Sequence, residues 1–235
     1  DRSRWVSCRP HHAKLMGHES FSKSDLWAWD QAHVWHPFTP HSVFMNEHPL
    51  MIVGAEGHEL IDIDGKRYLD GVSSLWCNTF GHRRPEIDEA IKRQLDRFAH
   101  STFLGNASAP AVALAKRLID ISPPNLARVF FSDNGSTAVE IALKMAFQYW
   151  QQTPGGAQRT KFITLGNAYH GDTIGAVSLG GIDIFHARYG GLLFETIQAP
   201  SPSAYRHDGY SSRADAEEAA IRTIEALVRQ HGPTL

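Results

Sequence analysis

An α/β fold with a largely parallel sheet is predicted by three features of this sequence. From Val129 onward, strand-like runs (Val129–Ser132, Lys161–Leu165 and Ala176–Leu179) alternate with a helical pattern and polar loops, the order expected when helices cross over between parallel strands. Upstream, Leu50–Gly54, Glu59–Ile63 and Arg67–Asp70 form a small meander around Asp64-Gly65, a dipeptide that between alternating apolar residues is a strong hairpin signal. The segments between and after them carry apolar residues at three- and four-residue steps, the period of a helix with one covered face.

Taken in order, residues 25–45 form a ring-rich arm (Trp27, Trp29, Trp35, Phe38, Phe44) interrupted by Pro37 and Pro40. A helix cannot run past His36 there, because a proline disfavours helical geometry in the residue before it. A helix over 86–98 would turn Ile87, Ala90, Ile91, Leu95 and Phe98 inward, and another after Pro110 would bury Leu114, Leu118 and Ile121 before Pro123-Pro124 ends it. The helix that follows the Val129–Ser132 run places Ala138, Ile141, Ala142, Met145, Ala146 and Tyr149 on one face, with Thr137 and Glu140 spaced for a capping box. Pro154-Gly155-Gly156 reads as a surface connection, and a last helix over Arg213–Gln230 has acids at its start and Gly232-Pro233 as its stop. With no further strand after Leu235, one sheet edge is expected to be open.

Composition excludes several function classes. The 235 residues are 42% apolar and 20% charged with a formal charge of −2, which is ordinary for a globular chain and gives no electrostatic footprint for nucleic acid. No apolar run nears the ~20 residues of a membrane helix. Cys8 and Cys77 lie far apart, which argues against a disulfide framework and fits a reducing cytoplasm, with Cys77 expected as a small core residue. Fourteen histidines occur without a metal-binding spacing, so no metal site is expected. The first fifteen residues fit neither a secretory signal nor a transit peptide, and Met16 is a candidate initiator.

Chemistry concentrates in two loops. Asp133-Asn-Gly-Ser-Thr-Ala-Val-Glu140 joins a strand-like run to a helix, and the first N–H groups of a helix, with Gly135 allowing close approach and the Ser136 and Thr137 hydroxyls beside it, suit a phosphate. Asn167-Ala-Tyr-His-Gly-Asp-Thr173 follows the next strand-like run. Ligands of open α/β sheets collect at the carboxyl ends of strands, so both loops are expected to face one site.

These two loops, with Ser73-Ser-Leu-Trp76 and His33-Val-Trp-His-Pro-Phe-Thr39, resemble the class III aminotransferases of fold type I from about Asp25 to the last residue. Within the class the pattern is most similar to the biotin-pathway branch that aminates 8-amino-7-oxononanoate. The resemblance implies an amino-terminal small-domain segment followed by the first part of the large, mostly parallel cofactor domain. Its expected divisions are 1–24 as an extension, 25–85 as arm and meander, and 86–235 as part of the large domain. It implies pyridoxal 5′-phosphate as cofactor, held by Gly135, Ser136, Thr137 and Tyr169. Phe38, Leu75, Trp76, Tyr169 and Asp172 would contact the substrate. A cytoplasmic homodimer is implied, acting on 8-amino-7-oxononanoate and an amino donor, without nucleic acid or membrane partners. Some relatives carry tyrosine at the Phe38 position and tryptophan at Leu75; both departures resemble lysine-using rather than S-adenosylmethionine-using relatives, leaving both donors open. The lysine to which the family attaches its cofactor has no counterpart among Lys14, Lys23, Lys66, Lys92, Lys116, Lys144 and Lys161. The chain is therefore expected to resemble an amino-terminal half, to contain no catalytic residue of its own, and to bind cofactor weakly without turnover. Two alternatives stay open: another class III enzyme acting on ω-amino acids, and a non-catalytic half-fold that serves as a binding module.

Overall fold

The computed structural model describes residues 21–47, 49–180, 182–203, 209 and 211–235. The expected extension is almost entirely outside the described residues, as are Cys8 and Met16. The chain divides into two compact units, residues 1–108 and 109–235.

In the first unit, helix α1 (Lys23–His33) starts at Ser22, whose hydroxyl accepts the Asp25 N–H, and ends at Val34 in extended geometry, ahead of Pro37 as the proline argument requires. A short turn of helix, α2 (His41–Phe44), follows Pro40 and buries Phe44. Strands β1 (Ile52–Glu56), β2 (Glu59–Asp62) and β3 (Arg67–Leu69) form an antiparallel sheet in that order. The β2–β3 connection is longer than a two-residue turn. Gly65 takes the left-handed region (φ 79°), and Asp62 Oδ1 accepts the N–H groups of Asp64 at 3.0 Å and Lys66 at 2.8 Å. Next come a single helical turn, α3 (Ser73–Trp76), and helix α4 (Pro85–Leu95), with proline at the first position, where its missing N–H costs nothing.

The second unit opens with α5 (Ala109–Ile121) and the long helix α6 (Gly135–Gln152). Strand β4 (Ile163–Leu165) pairs in parallel with β5 (Ile197–Ala199), Thr164 opposite Gln198. Between them lie α7 (Ile174–Leu179), α8 (Asp183–His186) and a 3-10 turn at Ala187–Leu192. Helix α9 (Arg213–His231), capped by the Ser212 hydroxyl, runs into a 3-10 turn at Gly232–Thr234. The Thr234 carbonyl accepts the N–H groups of Thr160 and Lys161. The best-covered side chains are small: Ala176 and Val177 on α7, Ala199 on β5, and Ala216 and Ala220 on α9.

Several expectations are corrected. Ala176–Leu179 is helix α7 rather than a strand; a short apolar run buried on every side carries no periodicity to separate the two. Val129–Ser132 forms no strand among the described residues, because an extended run becomes a strand only when a neighbour supplies the ladder. The cap of α6 is made by Asn134 with Thr137, not by Thr137 with Glu140. Cys77 is exposed rather than core. The expected inward stripes are also open: Leu95 on α4, Ile121 on α5 and Tyr149 on α6 are 59%, 81% and 62% exposed. Spacing marks a face suited to burial, while burial itself needs a covering element.

Candidate functional site

The centre of the second unit's site is the α6 N-terminus. Asn134 is extended, its Oδ1 accepts the Thr137 N–H at 3.0 Å, and its own N–H donates to Thr137 Oγ1 at 3.1 Å. Thr137 also donates its hydroxyl to the Asn134 carbonyl at 3.0 Å, so both polar groups of Thr137 are engaged in the cap. The N–H groups of Gly135 and Ser136 lie ahead of the helix's first backbone bond, Ala138 N–H to Asn134 O, and carry the positive end of the helix dipole. The space over Gly135 is open: a Cβ there would meet nothing within 4 Å. The helix end thus offers two backbone amide donors with open space above them.

The Tyr169 loop is latched to that helix end. Ser136 Oγ accepts the Thr173 N–H at 3.2 Å and lies 3.4 Å from Thr173 Oγ1. Gly171 passes so close that a Cβ would fall 1.9 Å from Ser136 Oγ, and its φ of +117° favours glycine. One turn further along α6, Glu140 Oε1 accepts the N–H groups of Gly175 at 2.7 Å and Ala176 at 3.3 Å. A side chain of helix α6 thus caps helix α7, whose own N-cap residue, Thr173, makes no side-chain capping bond.

These contacts hold the Glu140 carboxyl below its ordinary value, foremost a hydrogen bond from Thr173, with the Gly175 and Ala176 amides acting against burial. A depressed folded-state value means the stabilisation is fully present above the ordinary carboxyl range, about pH 4, and is lost as pH falls through the folded value. Thermal unfolding followed from pH 6 to pH 2.5 should show a decline below about pH 4 that is shallower in Glu140→Gln.

Tyr169 donates its hydroxyl to Asp172 Oδ2 at 2.6 Å. That bond, then burial and the carboxylate's charge, push the phenol above its ordinary value, so it stays protonated at neutral pH. His186, missed in the sequence, is buried behind the pair: its ring lies 6.4 Å from the Tyr169 ring at 16°, and its Nε2 is 3.7 Å from Asp172 Oδ1. The Tyr169 ring is still 44% exposed. The cleft lined by Leu143, Lys144, Phe147, Phe162 and Phe194 runs along the flank of α6 rather than at its N-terminus.

In the first unit, Phe38, Leu75 and Trp76 are exposed by 76%, 70% and 74%. All three take positive φ, and Ser73, Ser74, Leu75 and Trp76 do so consecutively, at 51°, 49°, 60° and 71°. Helix α3 is therefore one left-handed turn, closed by bonds from Trp76 N–H to Val72 O and from Cys77 N–H to Ser73 O. Each non-glycine residue in that conformation costs roughly 1 kcal/mol or more. Opposing it is Asp70, which accepts the Ser74 N–H and hydroxyl and meets His82 Nε2, all at 2.8 Å. Asp70 and His82 gave no signal in the sequence beyond their polarity.

Residues 42–235 match the aminotransferase class-III family. The chain belongs to the class-III aminotransferases. Relatives of this class-III chain include the adenosylmethionine-8-amino-7-oxononanoate aminotransferases of Nitratidesulfovibrio vulgaris and Geobacter sulfurreducens. The first is 56% identical over 89% of this chain and 39% of that protein; the second is 50% identical over 90% and 47%. The chain spans less than half the length of these curated relatives. A solved structure of the enzyme of the same name from Methanocaldococcus jannaschii is 42% identical, with a TM-score of 0.79 over 91% of this chain and 46% of that one. An amine transaminase structure from an uncultivated Pseudomonas species, in its PLP-bound form, is 37% identical with a TM-score of 0.78 over 85% of this chain and 46% of that one. The fold is that of the fold type I transaminases. Among the described residues, no helix is long and apolar enough to cross a membrane.

Proposed function

We propose that this chain is the phosphate-holding part of a pyridoxal-phosphate aminotransferase that converts 8-amino-7-oxononanoate to 7,8-diaminononanoate in biotin synthesis. The observation that carries the reading is the latch between the open α6 N-terminus and the Tyr169 loop, made by Ser136 and Thr173. It ties an anion cradle to a flat, partly exposed ring, the two features a phosphorylated pyridine needs. The curated relatives' names support the substrate, at identities of 50–56%; an ω-transaminase of the same fold is 33% identical.

In this reading the Gly135 and Ser136 amides bind the phosphate, and Thr137 serves it indirectly by keeping the helix end capped. Tyr169 stacks on the pyridine, with Asp172 holding the phenol and so the ring's plane. When bound, the cofactor supplies the electron sink for amino-group transfer. Phe38, Leu75 and Trp76 offer apolar surface to the acceptor's aliphatic chain, at about 0.8 kcal/mol per buried methylene. The enzyme works as a cytoplasmic homodimer, with S-adenosylmethionine or lysine as donor. Residues 25–85 form the arm and meander, and the cofactor domain begins at 86.

Two measurements test this. The full-length gene that contains this segment should restore growth to a biotin auxotroph that lacks 7,8-diaminononanoate synthase; failure to do so with the protein expressed would overturn the substrate. Pyridoxal phosphate titrated into the chain, followed by absorbance, should bind Tyr169→Ala about tenfold more weakly, whereas Tyr169→Phe, which keeps the ring, should lose only a few-fold.

A further inference from the structure

We propose that Asp70 and His82 are positioning residues that clasp the left-handed turn α3, so that Leu75 and Trp76 stand outward as a preset apolar surface for the aliphatic amino acceptor. This rests on the acceptor assignment made above.

The turn inverts the usual partition of side chains. Its polar clasp is covered, with the Asp70 and His82 side chains 4% and 12% exposed, while its apolar residues Leu75 and Trp76 are among the most exposed of the unit. Nothing in Ser-Ser-Leu-Trp favours left-handed geometry, since none of the four is glycine, asparagine or aspartate. The restraint therefore comes from outside the turn. Asp70 supplies it with both oxygens: Oδ1 accepts the Ser74 N–H, and Oδ2 accepts the Ser74 hydroxyl and meets His82 Nε2.

His82 is itself fixed to the β1–β2 connection. Its N–H donates to the Gly57 carbonyl at 2.7 Å and its carbonyl accepts the Gly57 N–H at 3.2 Å, while Asp70 N–H donates to His58 O at 2.8 Å. Only glycine fits at position 81, where φ is +87° and a Cβ would lie 2.7 Å from the Gly57 carbonyl oxygen. The route runs from a hairpin connection through His82 and Asp70 to Ser74, and ends at two outward apolar side chains. A left-handed turn sends its Cβ atoms in directions that a right-handed turn of the same residues would not, so relaxing the clasp moves both side chains.

The test is native-state chymotrypsin cleavage after Leu75 and Trp76, read by mass spectrometry on the 235-residue chain, with cleavage at other sites as the reference. Asp70→Asn leaves one acceptor oxygen where two served the Ser74 N–H, the Ser74 hydroxyl and His82 Nε2, and should speed cleavage in the turn about tenfold or more. His82→Leu should act in the same direction, and His82→Gln, which keeps an N–H donor, should restore most of the protection. Adding Ser73→Gly to Asp70→Asn should slow cleavage again, because glycine takes the left-handed region freely. Unchanged cleavage in Asp70→Asn, acceleration equal at all sites, or no recovery with Ser73→Gly would each overturn the clasp. Failure of the acceptor assignment shows separately: the auxotroph would not grow although the proteolysis pattern is as stated.

Discussion

Gly135→Asp should leave the chain as stable as before or more so, and abolish its binding of pyridoxal phosphate. The two effects have opposite causes. A Cβ at position 135 meets nothing within 4 Å, so the substitution fits. Replacing glycine inside a helix removes backbone entropy, and an acid in the first turn complements the dipole, together about 0.5 to 1 kcal/mol of stabilisation. On the proposed placement of the cofactor, the same carboxylate would occupy the place of the phosphate and repel it. At about 4 Å and an effective dielectric near 20, one pair of like charges costs roughly 4 kcal/mol, so a loss of at least a hundredfold in affinity is expected. Absorbance titration and thermal unfolding on one preparation measure both. A Gly135→Asp chain that binds cofactor normally would show that the phosphate does not sit at this helix end, and Gly135→Ala, which adds no charge, serves as the control.

Gly171→Ala should destabilise the second unit strongly. The new Cβ would lie 1.9 Å from Ser136 Oγ and 2.9 Å from Ser136 Cα, and its φ of +117° is one that alanine rarely adopts. The Oγ can rotate away; the helix backbone cannot, and moving it breaks the Thr173 latch. Overpacking and backbone strain together give a loss of about 2 to 4 kcal/mol, read from chemical denaturation. Ser136→Gly in the same chain should recover part of the loss by removing the hydroxymethyl group, while leaving the φ penalty in place. Full recovery would mean that φ contributes nothing, and no recovery would place the clash elsewhere.

What could be read from the sequence was what is decided locally. Asp64-Gly65 marked its hairpin because left-handed geometry at Gly65 is a property of one residue, and the α6 helix was visible from its apolar spacing, although its cap lies three residues ahead of the Thr137–Glu140 pair that the spacing suggested. The proximity of the Tyr169 loop to that helix end followed from both loops sitting after strand-like runs. Three-residue strand β5, between Thr196 and Pro200, left no pattern long enough to register. Ala176–Leu179 was misjudged because its environment is apolar all round, and the cap that marks it as a helix comes from the Glu140 carboxylate 35 positions upstream. Cys77 was misplaced for a related reason: an apolar neighbourhood in sequence says nothing about a turn whose handedness is imposed by Asp70. For α7 the capping contact joins residues remote in sequence, and for the turn it comes from a carboxylate outside the four residues whose composition was weighed.

The carboxylate that α6 lends to α7 also bears on redesign. Gly171, Thr173, Gly175 and Ala176 are tied to Ser136 and Glu140 through backbone atoms or clearances too small for a methyl group, so this stretch tolerates little remodelling whatever substrate is sought. If the proposed acceptor surface is retuned, Leu75 and Trp76, exposed by 70% and 74%, are the positions to randomise, with the 171–176 stretch and its two anchors kept as fixed framework.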